Sequence, residues 1–433
     1  MPLSRYLITC RDHAFPDEVL LFSTRTGALV QMVEEQFAAL QRGTHAPEYD
    51  TQLREMGLLV DDQAEEQEQV LGYMNEINRL TPNLTVAVVL GMECNFSCPY
   101  CFEGLQKGNK SMSDATADQL IHFIKERLRP GKNKLKLQLY GGEPLLYSRR
   151  ILSLAKQLKP FAEEQGGSFS MDMVSNGSLL NEKIVDKLTP WGLDGVKVTL
   201  DGPPEIHNRN RPFKSGEKSF AIIIENLKKV CSKTKIRLGG NYSQDNYHQF
   251  PAVLDLLTAE GVGPESIELV NFNMVMQVNE SVTGNRFQGG CSSVNEPWLR
   301  DASLYVRQEV LRRGYAVPEI SPQPCAVEMD DAYTVHFDGS LYKCVTWIGN
   351  EAYKIGDIWN GADDSYLHTH HVGHWKKNEE CRACIYLPLC FGGCRFMAHQ
   401  RNGHMAEVDC QKDFFASTLE HLIKQDIAQP EHG

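Results

Sequence analysis

The chain contains no long hydrophobic segment. Its 433 residues are 42% hydrophobic and 23% charged, which is the composition of a soluble globular protein. No uninterrupted run of about 18 apolar residues occurs, so we expect no membrane span. The first seven residues lack the apolar core of a signal peptide. We therefore expect a cytoplasmic location.

Basic residues are also in short supply. The 44 lysines and arginines are outnumbered by 56 aspartates and glutamates, which gives a net charge of −12. Proteins bind nucleic acids largely through contacts between basic side chains and phosphates, so we expect no nucleic acid as the main partner. A chain of this length predicts two or three domains.

Cysteine, by contrast, is abundant, with thirteen residues. Without an export signal, this number favours metal binding over disulfides. Cys94, Cys98 and Cys101 fall within eight residues, and Tyr100 directly precedes the last of them. A four-iron cluster normally takes four cysteine thiolates, so three on one loop would leave one iron open to a small molecule. A zinc knuckle and unconnected thiols are the alternatives.

The region from residue 84 to residue 273 alternates strand and helix patterns. The helical patterns include residues 114–128, 149–165 and 220–231, and Ser113 is placed to cap the first of them. Repeated strand-then-helix units predict parallel strands with right-handed crossovers. Six units are two short of an eight-fold barrel, so we predict an α/β fold with a partial (β/α)6 TIM barrel. The predicted strands are residues 84–92, 134–141, 168–176, 195–202, 235–242 and 266–273.

Polar motifs follow the predicted strands. The cysteine loop follows a continuous apolar run, and the C-terminal ends of strands are where α/β barrels place their chemistry. Residues 140–144, Tyr-Gly-Gly-Glu-Pro, combine two glycines that allow close backbone approach with a carboxylate that can bind an ammonium group. Residues 175–177 (Ser-Asn-Gly) and 199–202 (Thr-Leu-Asp-Gly) end the next two strands. Because Asn-Gly and Asp-Gly are also ordinary turn pairs, a purely structural role is the alternative.

The three cysteines and Tyr100 resemble the signature of the radical S-adenosylmethionine (SAM) superfamily. The resemblance implies that the open iron binds the amino and carboxylate groups of SAM. The reduced cluster then cleaves SAM to a 5′-deoxyadenosyl radical, which abstracts hydrogen from a substrate. It also implies an external electron donor of the flavodoxin or ferredoxin type. The residues that it assigns to SAM binding are Tyr100, Gly141, Gly142, Glu143, Ser175, Asn176, Thr199 and Asp201.

Glu143 is expected to accept hydrogen bonds from the SAM ammonium group, whereas the fourth strand end supplies ribose and carboxylate contacts. His207, Asn208 and Arg211 resemble a stretch found in peptide-modifying members of the superfamily. The resemblance assigns these three residues no role.

Seven further cysteines and Gly339 resemble the SPASM domain, which holds two auxiliary four-iron clusters. A zinc ribbon also uses closely spaced cysteine pairs, but seven cysteines fit two clusters better. The resemblance therefore implies three [4Fe–4S] clusters in all. The implied ligands are Cys325, Cys344 and Cys394 for the first auxiliary cluster, and Cys381, Cys384, Cys390 and Cys410 for the second.

The first auxiliary cluster lacks a fourth ligand where some members of the family have one, because residues 326–335 contain no cysteine. Either the site is open to a substrate thiolate or water, which we favour, or Cys291 reaches it from a distant loop. Cys10 and Cys231 are expected to be packed structural thiols.

A second departure concerns the position after Cys344. Sulfatase-maturing enzymes of this type carry an aspartate base immediately after the corresponding cysteine, whereas this chain has Val345. Asp330, Asp331 or another acid could replace that base in space, so oxidation of a protein Ser or Cys stays an alternative function.

Residues 1–60 predict a small separate unit. Residues 6–10 and 19–23 have strand patterns, and residues 28–40 and 49–60 carry apolar residues at helical spacing. This order fits a winged-helix-like module, which peptide-modifying members use to capture a leader peptide by strand addition. A cap packed on the barrel is the alternative. The predicted domains are residues 1–60, an acidic helical linker at 61–83, the barrel at 84–300 and the SPASM domain at 301–433.

The layout resembles geopeptide-type, sactipeptide-type and ranthipeptide-type maturases, which implies a precursor peptide with a leader sequence as substrate. The expected product is a thioether crosslink, and a carbon–carbon ring (a cyclophane or cyclopropane) is the alternative. An iron–sulfur electron carrier is the non-catalytic alternative, but such a carrier has no use for a Gly-Gly-Glu turn.

Overall fold

The computed structural model describes residues 1–277 and 290–428, which form thirteen strands. None of the helices in these ranges is both long and apolar enough to cross a membrane. The strands are β1 (Leu7–Asp12), β2 (Phe15–Ser23), β3 (Leu29–Val33), β4 (Asn83–Val89), β5 (Lys134–Tyr140), β6 (Ser168–Ser175), β7 (Leu193–Thr199), β8 (Lys235–Tyr242), β9 (Leu269–Met274), β10 (Ala332–Val335), β11 (Ser340–Tyr342), β12 (Gly356–Asp357) and β13 (Gly361–Ala362).

Helices cover the outer side of the central sheet and build much of the C-terminal region. The α-helices in the described ranges are α1 (Glu34–Arg42), α2 (Asp50–Glu55), α3 (Gln63–Leu80), α4 (Asp114–Arg127), α5 (Ser148–Glu164), α6 (Glu182–Leu188), α7 (Pro204–Asn210), α8 (Phe220–Val230), α9 (Ala252–Ala259), α10 (Pro297–Arg312), α11 (Tyr366–Thr369), α12 (Glu379–Ala383), α13 (Leu387–Cys390), α14 (Arg395–Asn402) and α15 (Lys412–Ile427).

Six parallel strands, β4 to β9, lie side by side in chain order and confirm the predicted α/β arrangement. The sheet does not close among the described residues, because β9 is one edge and β13 is the other. The strand β10 pairs in parallel with β4, and β11 to β13 continue the sheet in antiparallel order. The C-terminal region therefore contributes strands to the central sheet.

Side-chain alternation explains how these strands form. In β5, Leu135, Leu137 and Leu139 are buried in the main core, while the residues between them face the opposite side. The helix α8 buries residues at helical spacing against the same core. The Ser113 hydroxyl accepts a hydrogen bond from the Thr116 N–H at 3.0 Å, which confirms the predicted cap of α4.

The N-terminal unit is a three-stranded antiparallel sheet in the order β1-β2-β3. The prediction of a helix over residues 28–40 was wrong in its first half, since residues 29–33 form β3 and the helix begins at Glu34. Gly27 has φ of +79°, and the turn around it lets the Ser23 N–H bond the Ala28 carbonyl at 2.9 Å. Strand pairing with β2 therefore overrides the apolar spacing that favoured a helix.

This N-terminal sheet packs on the C-terminal region. Cys10, Leu20 and Phe22 form a hydrophobic cluster with apolar side chains of α13 and α15, which confirms Cys10 as a packed thiol. The helix α3 lies where the acidic linker was predicted, and its apolar face packs against Trp375 and Phe391. Both N-terminal elements therefore lie against residues 375–423, not against the barrel strands.

The loop after β5 approaches the cysteine loop very closely. Gly142 has φ of +30°, and a Cβ atom there would lie 2.0 Å from the Glu93 carbonyl oxygen. The Glu143 N–H donates to the same carbonyl at 2.9 Å. The two glycines therefore allow a close backbone approach to the cysteine loop, and their predicted contact with SAM stays a prediction.

Replacement of Gly142 by alanine should therefore displace the cysteine loop. The methyl clash and the unfavourable φ together predict a loss of about 2–4 kcal/mol in the free energy of unfolding, measurable by urea denaturation of the reconstituted protein. Gly131→Ala is the matched control, because Gly131 has φ of +81° but no atom within 4 Å of its added methyl group. Equal destabilisation by the two variants would show that the close approach is unimportant.

Candidate active site

A cavity of about 450 Å³ opens at the C-terminal ends of the parallel strands. The loop after β4 contributes Cys94, Cys98 and Cys101 to its wall, and the strands β5 to β9 contribute inward-facing residues. Burial raises the pKa of all three thiols, and the positive charge of Lys107 opposes this rise. The structure therefore brings the three predicted thiols together at one wall of the cavity.

Tyr100 anchors the cysteine loop to two strand ends. Its hydroxyl donates a short hydrogen bond to the Asp201 carboxylate and accepts one from Arg211 at 2.8 Å. The Asn241 N–H, on β8, donates to the other Asp201 oxygen at 3.0 Å. Burial raises the pKa of Asp201, while the Arg211 guanidinium opposes that rise. Asp201 is thus a buried support beneath the cavity, and Tyr100 and Arg211 are the members of this group that line it.

Glu143 is completely buried, and both of its oxygens are engaged within the protein. One oxygen accepts from the Leu145 N–H at 3.1 Å and the Ser175 hydroxyl at 2.8 Å, and the other accepts from the Asn176 N–H at 2.8 Å. Glu143 therefore ties the loop after β5 to the end of β6. The predicted contact between Glu143 and the SAM ammonium group stays a prediction.

The remaining predicted SAM contacts lie around the same cavity. Gly141, Gly142, Ser175, Asn176 and Thr199 all contribute to its wall. The Asn176 side-chain amide donates to Asn95 in the cysteine loop at 2.8 Å. The turn residues at these strand ends thus support the cysteine loop as well as line the cavity.

Glu103 is a cavity residue that the sequence did not reveal. One carboxylate oxygen accepts from the Gly142 N–H at 3.0 Å, and the other is buried without a hydrogen-bond partner. Burial raises the pKa of Glu103 to about 7, although the nearby Lys107 ammonium opposes the shift. Among the described residues of the cavity wall, Glu103 has the only carboxyl group. Its position two residues after Cys101 was the only signal in the sequence.

The stretch at 207–211, which the resemblance left without a role, supports Asp201 and α8. The Asp201 N–H donates to His207 Nδ1 at 3.1 Å, and His207 Nε2 contacts the Ser219 hydroxyl at 3.1 Å. Burial lowers the pKa of His207 to about 3, so the imidazole is neutral at physiological pH. The Asn208 side chain accepts from two N–H groups at the start of α8, both at 3.0 Å.

The C-terminal cysteines fall into two groups. Burial raises the pKa of the thiols of Cys325, Cys344, Cys394, Cys381, Cys384 and Cys390, and repulsion from other thiols of the same group adds to each rise. Within residues 1–277 and 290–428, no three His, Cys, Asp or Glu side chains converge closely enough to share a single metal ion. The structure places near one another Cys325, Cys344 and Cys394 in one group, and Cys381, Cys384, Cys390 and Cys410 in the other.

Cys291 is fully buried beside the edge strand β9. Its N–H donates to the Val275 carbonyl at 2.8 Å, and burial raises the pKa of its thiol to about 12. Cys291 and Cys394 belong to the same hydrophobic cluster. The charges that further raise the pKa of Cys291 come from Glu296 and Asp409, and no other thiol contributes. Cys231 follows α8 and packs against the main core, as expected of a structural thiol.

Asp330 and Asp331 lie at the wrong end of the sheet to replace the missing base. They precede β10, which runs parallel to β4, so they lie at the N-terminal edge whereas the cysteine loop lies at the C-terminal edge. Asp331 pairs there with Lys132 at 3.1 Å. The expectation that either aspartate could act beside the cavity was therefore wrong.

Comparison with known proteins identifies the family. A profile of the Radical SAM superfamily matches residues 88–255. The cysteine-type anaerobic sulfatase-maturating enzyme of Clostridium perfringens strain 13 is 23% identical over 361 residues, which cover 76% of this chain and 94% of that protein. The GTP 3′,8-cyclase of Parasynechococcus marenigrum strain WH8102 is 32% identical over 323 residues, which cover 66% of this chain and 91% of that protein.

Two solved structures have the same fold. The sulfatase-maturating enzyme anSMEcpe, solved with AdoMet and the Cp18Cys peptide, has a TM-score of 0.62 at 18% identity and covers 80% of this chain and all of that chain. Streptococcus suis SuiB, solved with its precursor peptide SuiA, has a TM-score of 0.55 at 13% identity and covers 94% of this chain and 98% of that chain. Together with the three-cysteine loop at the strand ends, the profile and the 32% identical relative show that this chain belongs to the radical SAM superfamily of enzymes.

Proposed function

We propose that this enzyme reductively cleaves SAM and uses the reaction to modify a ribosomally synthesised precursor peptide, forming a thioether crosslink. The observation that carries the proposal is the convergence of three thiols on a cavity whose wall also holds unpartnered buried polar atoms. Membership of an enzyme superfamily leaves the electron-carrier alternative without support. An external donor of the flavodoxin or ferredoxin type would supply the electron.

The cavity offers partners for both charged ends of the methionine part of SAM. One Glu103 oxygen and the Arg211 Nε are buried without hydrogen-bond partners, and both residues line the cavity. A carboxylate binds an ammonium group and a guanidinium binds a carboxylate through charge-assisted hydrogen bonds. The donor set therefore fits SAM beside a [4Fe–4S] cluster held by the three thiols. When bound, the pair supplies reductive C–S cleavage and hydrogen abstraction from a substrate.

The protein's own contribution is orientation and exclusion of water. Phe96 and Phe102 give the cavity wall apolar surface on the side of the cysteine loop. Tyr100 is held between Asp201 and Arg211, which prevents the loop from moving away from the strand ends. Thr199 and Asn241 also line the cavity and offer hydrogen bonds to a ribose.

Replacement of Cys94, Cys98 and Cys101 by alanine should remove about four irons per chain and abolish formation of 5′-deoxyadenosine. The reconstituted wild type should hold about twelve irons, and the variant should keep the eight of the auxiliary clusters. Iron analysis and chromatography of the dithionite-reduced reaction measure the two quantities. Cys231→Ala is the matched control and should change neither. Continued SAM cleavage by the triple variant would contradict the assignment.

A peptide substrate is supported by the relatives whose structures contain peptides and by an open strand edge in the N-terminal unit. In an antiparallel sheet, the residue pairs that lie opposite each other are alternately hydrogen-bonded and not hydrogen-bonded. Because the Ser23 N–H bonds the Ala28 carbonyl, the register directs the N–H groups of Gln31 and Val33 away from β2. We propose that the winged-helix-like unit at 1–60 captures the leader peptide along this edge.

Val33→Pro should weaken capture of the precursor without disturbing the fold. Val33 has φ of −68°, which proline adopts without strain, and the N–H lost is the one that points to the open edge. Affinity for the precursor peptide encoded beside the gene, measured by fluorescence anisotropy, should fall about fivefold or more. Val33→Ala keeps that N–H and should bind nearly as well as the wild type. Equal affinity of all three proteins would contradict capture at β3.

The thioether proposal depends on the group of Cys325, Cys344 and Cys394. We propose that these three thiols hold the first auxiliary cluster of a SPASM domain and that the other four C-terminal cysteines hold the second. With three protein ligands, the first cluster would keep a position for a substrate cysteine. A substrate sulfur held there would lie close to the carbon that loses hydrogen. The 5′-deoxyadenosyl radical would take the hydrogen atom of the C–H bond, and the thiol would lose its proton on ligation to the cluster. The electron released when the S–C bond forms would pass to that cluster, so the peptide loses two hydrogens.

Cys291→Ala distinguishes an open cluster from a closed one. If the cluster is open, the variant should keep its full iron content and produce the peptide that is lighter by two hydrogens, because Cys291 is only a packed thiol. Mass spectrometry with alkylation of free thiols should show that one substrate cysteine is consumed. Loss of iron in the variant would show that Cys291 is the fourth ligand and would favour a carbon–carbon ring. A precursor without cysteine in its modified segment would exclude the thioether.

Oxidation of a Ser or Cys side chain is the second candidate function. It is supported by two curated relatives named cysteine-type and serine-type anaerobic sulfatase-maturating enzymes. Val345 stands where such enzymes carry the base, and Asp330 and Asp331 lie at the opposite edge of the sheet. The oxidised residue would carry an aldehyde, which reacts with hydroxylamine reagents. A thioether does not react with them, so the reagent distinguishes the two products.

A further inference from the structure

One face of the parallel sheet carries three basic side chains, namely Lys136 on β5, Lys197 on β7 and Arg237 on β8. The alternation of each strand directs these side chains inward, since Val196, Val198 and Leu238 are buried in the core on the outer side. Lys197 reaches the cavity that the three thiols line, whereas Lys136 and Arg237 lie outside its wall.

Lys136 and Arg237, which lie outside the cavity wall, both form ion pairs. Lys136 contacts Asp172 at 2.9 Å, and Arg237 contacts the same carboxylate at 2.9 Å. Arg237 also contacts Asp194 at 3.1 Å and Glu268. The barrel interior therefore supplies a carboxylate for each cation below the cavity.

Lys197 differs, because no hydrogen bond or ion pair joins its ammonium group to any residue that the structure describes. The side chain crosses to β8, where a Cβ atom on Gly239 would lie 2.5 Å from its Cε and 3.5 Å from its Nζ. Glycine at this position thus gives the lysine a path along the wall. Burial lowers the pKa of Lys197, as expected for an ammonium group without a counter-ion.

The three basic residues of the described cavity wall have different surroundings. Electrostatic interactions with Cys94, Cys98, Cys101 and Glu103 raise the pKa of Lys107. Its ammonium group donates to the Phe96 carbonyl at 3.4 Å. Arg211 donates a hydrogen bond to the Tyr100 hydroxyl and interacts electrostatically with Cys98. For Lys197, burial is the sole cause of the shift, and no thiol contributes. Lys107 and Arg211 are therefore close to the thiols, whereas Lys197 lies within β7, two residues before its end at Thr199, and no thiol affects its pKa.

We propose that Lys197 is a specificity-determining residue that binds a carboxylate of the substrate peptide, from an Asp or Glu side chain or the C-terminus, close to the residue from which hydrogen is abstracted. The inference rests on the proposed peptide substrate and adds a requirement for an acidic group. A partly desolvated, unpaired cation gains a charge-assisted hydrogen bond when a carboxylate enters the cavity. The same bond fixes the register of the peptide relative to the cysteine loop.

The test compares Lys197→Met and Lys197→Arg in the reconstituted holoenzyme, with the precursor peptide encoded beside the gene as probe. Loss of the ammonium group should lower kcat/KM for the precursor about 10- to 100-fold, whereas the arginine variant should stay within about fivefold of the wild type. SAM cleavage without peptide should be unchanged in both variants. Lys136→Met is the matched control, because it removes a paired lysine of the same wall and leaves Asp172 bonded to Arg237.

A scan of the precursor identifies the partner. Each Asp and Glu of its modified segment is replaced by Asn or Gln, and the C-terminal carboxylate by an amide. With the wild-type enzyme, one of these peptide replacements should lower kcat/KM as much as Lys197→Met does. With the Lys197→Met enzyme, the same replacement should cause no further loss. If the loss from every peptide replacement adds to the loss from Lys197→Met, the inference is overturned. It is also overturned if Lys197→Met lowers SAM affinity and peptide-free SAM cleavage as much as it lowers kcat/KM for the precursor, because Lys197 would then bind SAM. Failure of the wild type to modify any precursor would instead refute the proposed function, and the inference with it.

Discussion

The site depends on the contact between two backbone segments, the cysteine loop around Glu93 and the turn at Gly142. The cysteine loop has almost no regular structure of its own, so its thiols depend on contacts with neighbouring strand ends and with the loop around Pro212 and Lys214. The Glu143 N–H and the missing Cβ of Gly142 bring the second strand end against it. Asn176 and Asp201 add hydrogen bonds from the third and fourth strand ends. Parallel strands make this possible, because all of their carboxyl ends meet at one edge.

Charged groups around the site divide into supports and free groups. Glu143 and Asp201 are buried carboxylates whose oxygens accept several protein hydrogen bonds, so they hold loops together. One buried Glu103 oxygen at the cavity wall has no hydrogen-bond partner among the described residues, and no hydrogen bond or ion pair joins the Lys197 ammonium group to a residue that the structure describes. Desolvated polar groups without partners are costly, and this cost is the physical basis of the proposals that SAM and a substrate carboxylate bind here.

The sequence predicted the repeated strand and helix units well, because period-two alternation and the cap at Ser113 are local signals. It also predicted that Gly141 and Gly142 permit close approach. It could not predict that Glu143 turns into the protein while Glu103 faces the cavity, because that choice depends on which distant N–H groups lie nearby. The edge strand β3 was missed for a similar reason, since its pairing with β2 decides the conformation of a segment with helical spacing. The misplaced role of Asp330 and Asp331 shows the same limit, because strand direction relative to β4 is not a local property.

The packing of the N-terminal sheet on α13 and α15 has a consequence for biosynthesis. The apolar faces of Leu20 and Phe22 leave the ribosome among the first residues, whereas their partners Leu389, Leu419 and Ile423 are made near the end of the chain. The hydrophobic face of this sheet therefore lacks these partners until residues 389–423 have been translated. Exposed apolar surface during synthesis attracts chaperones and promotes aggregation. The N-terminal sheet is therefore translated before the central parallel sheet but is completed only after residues 389–423 have been made.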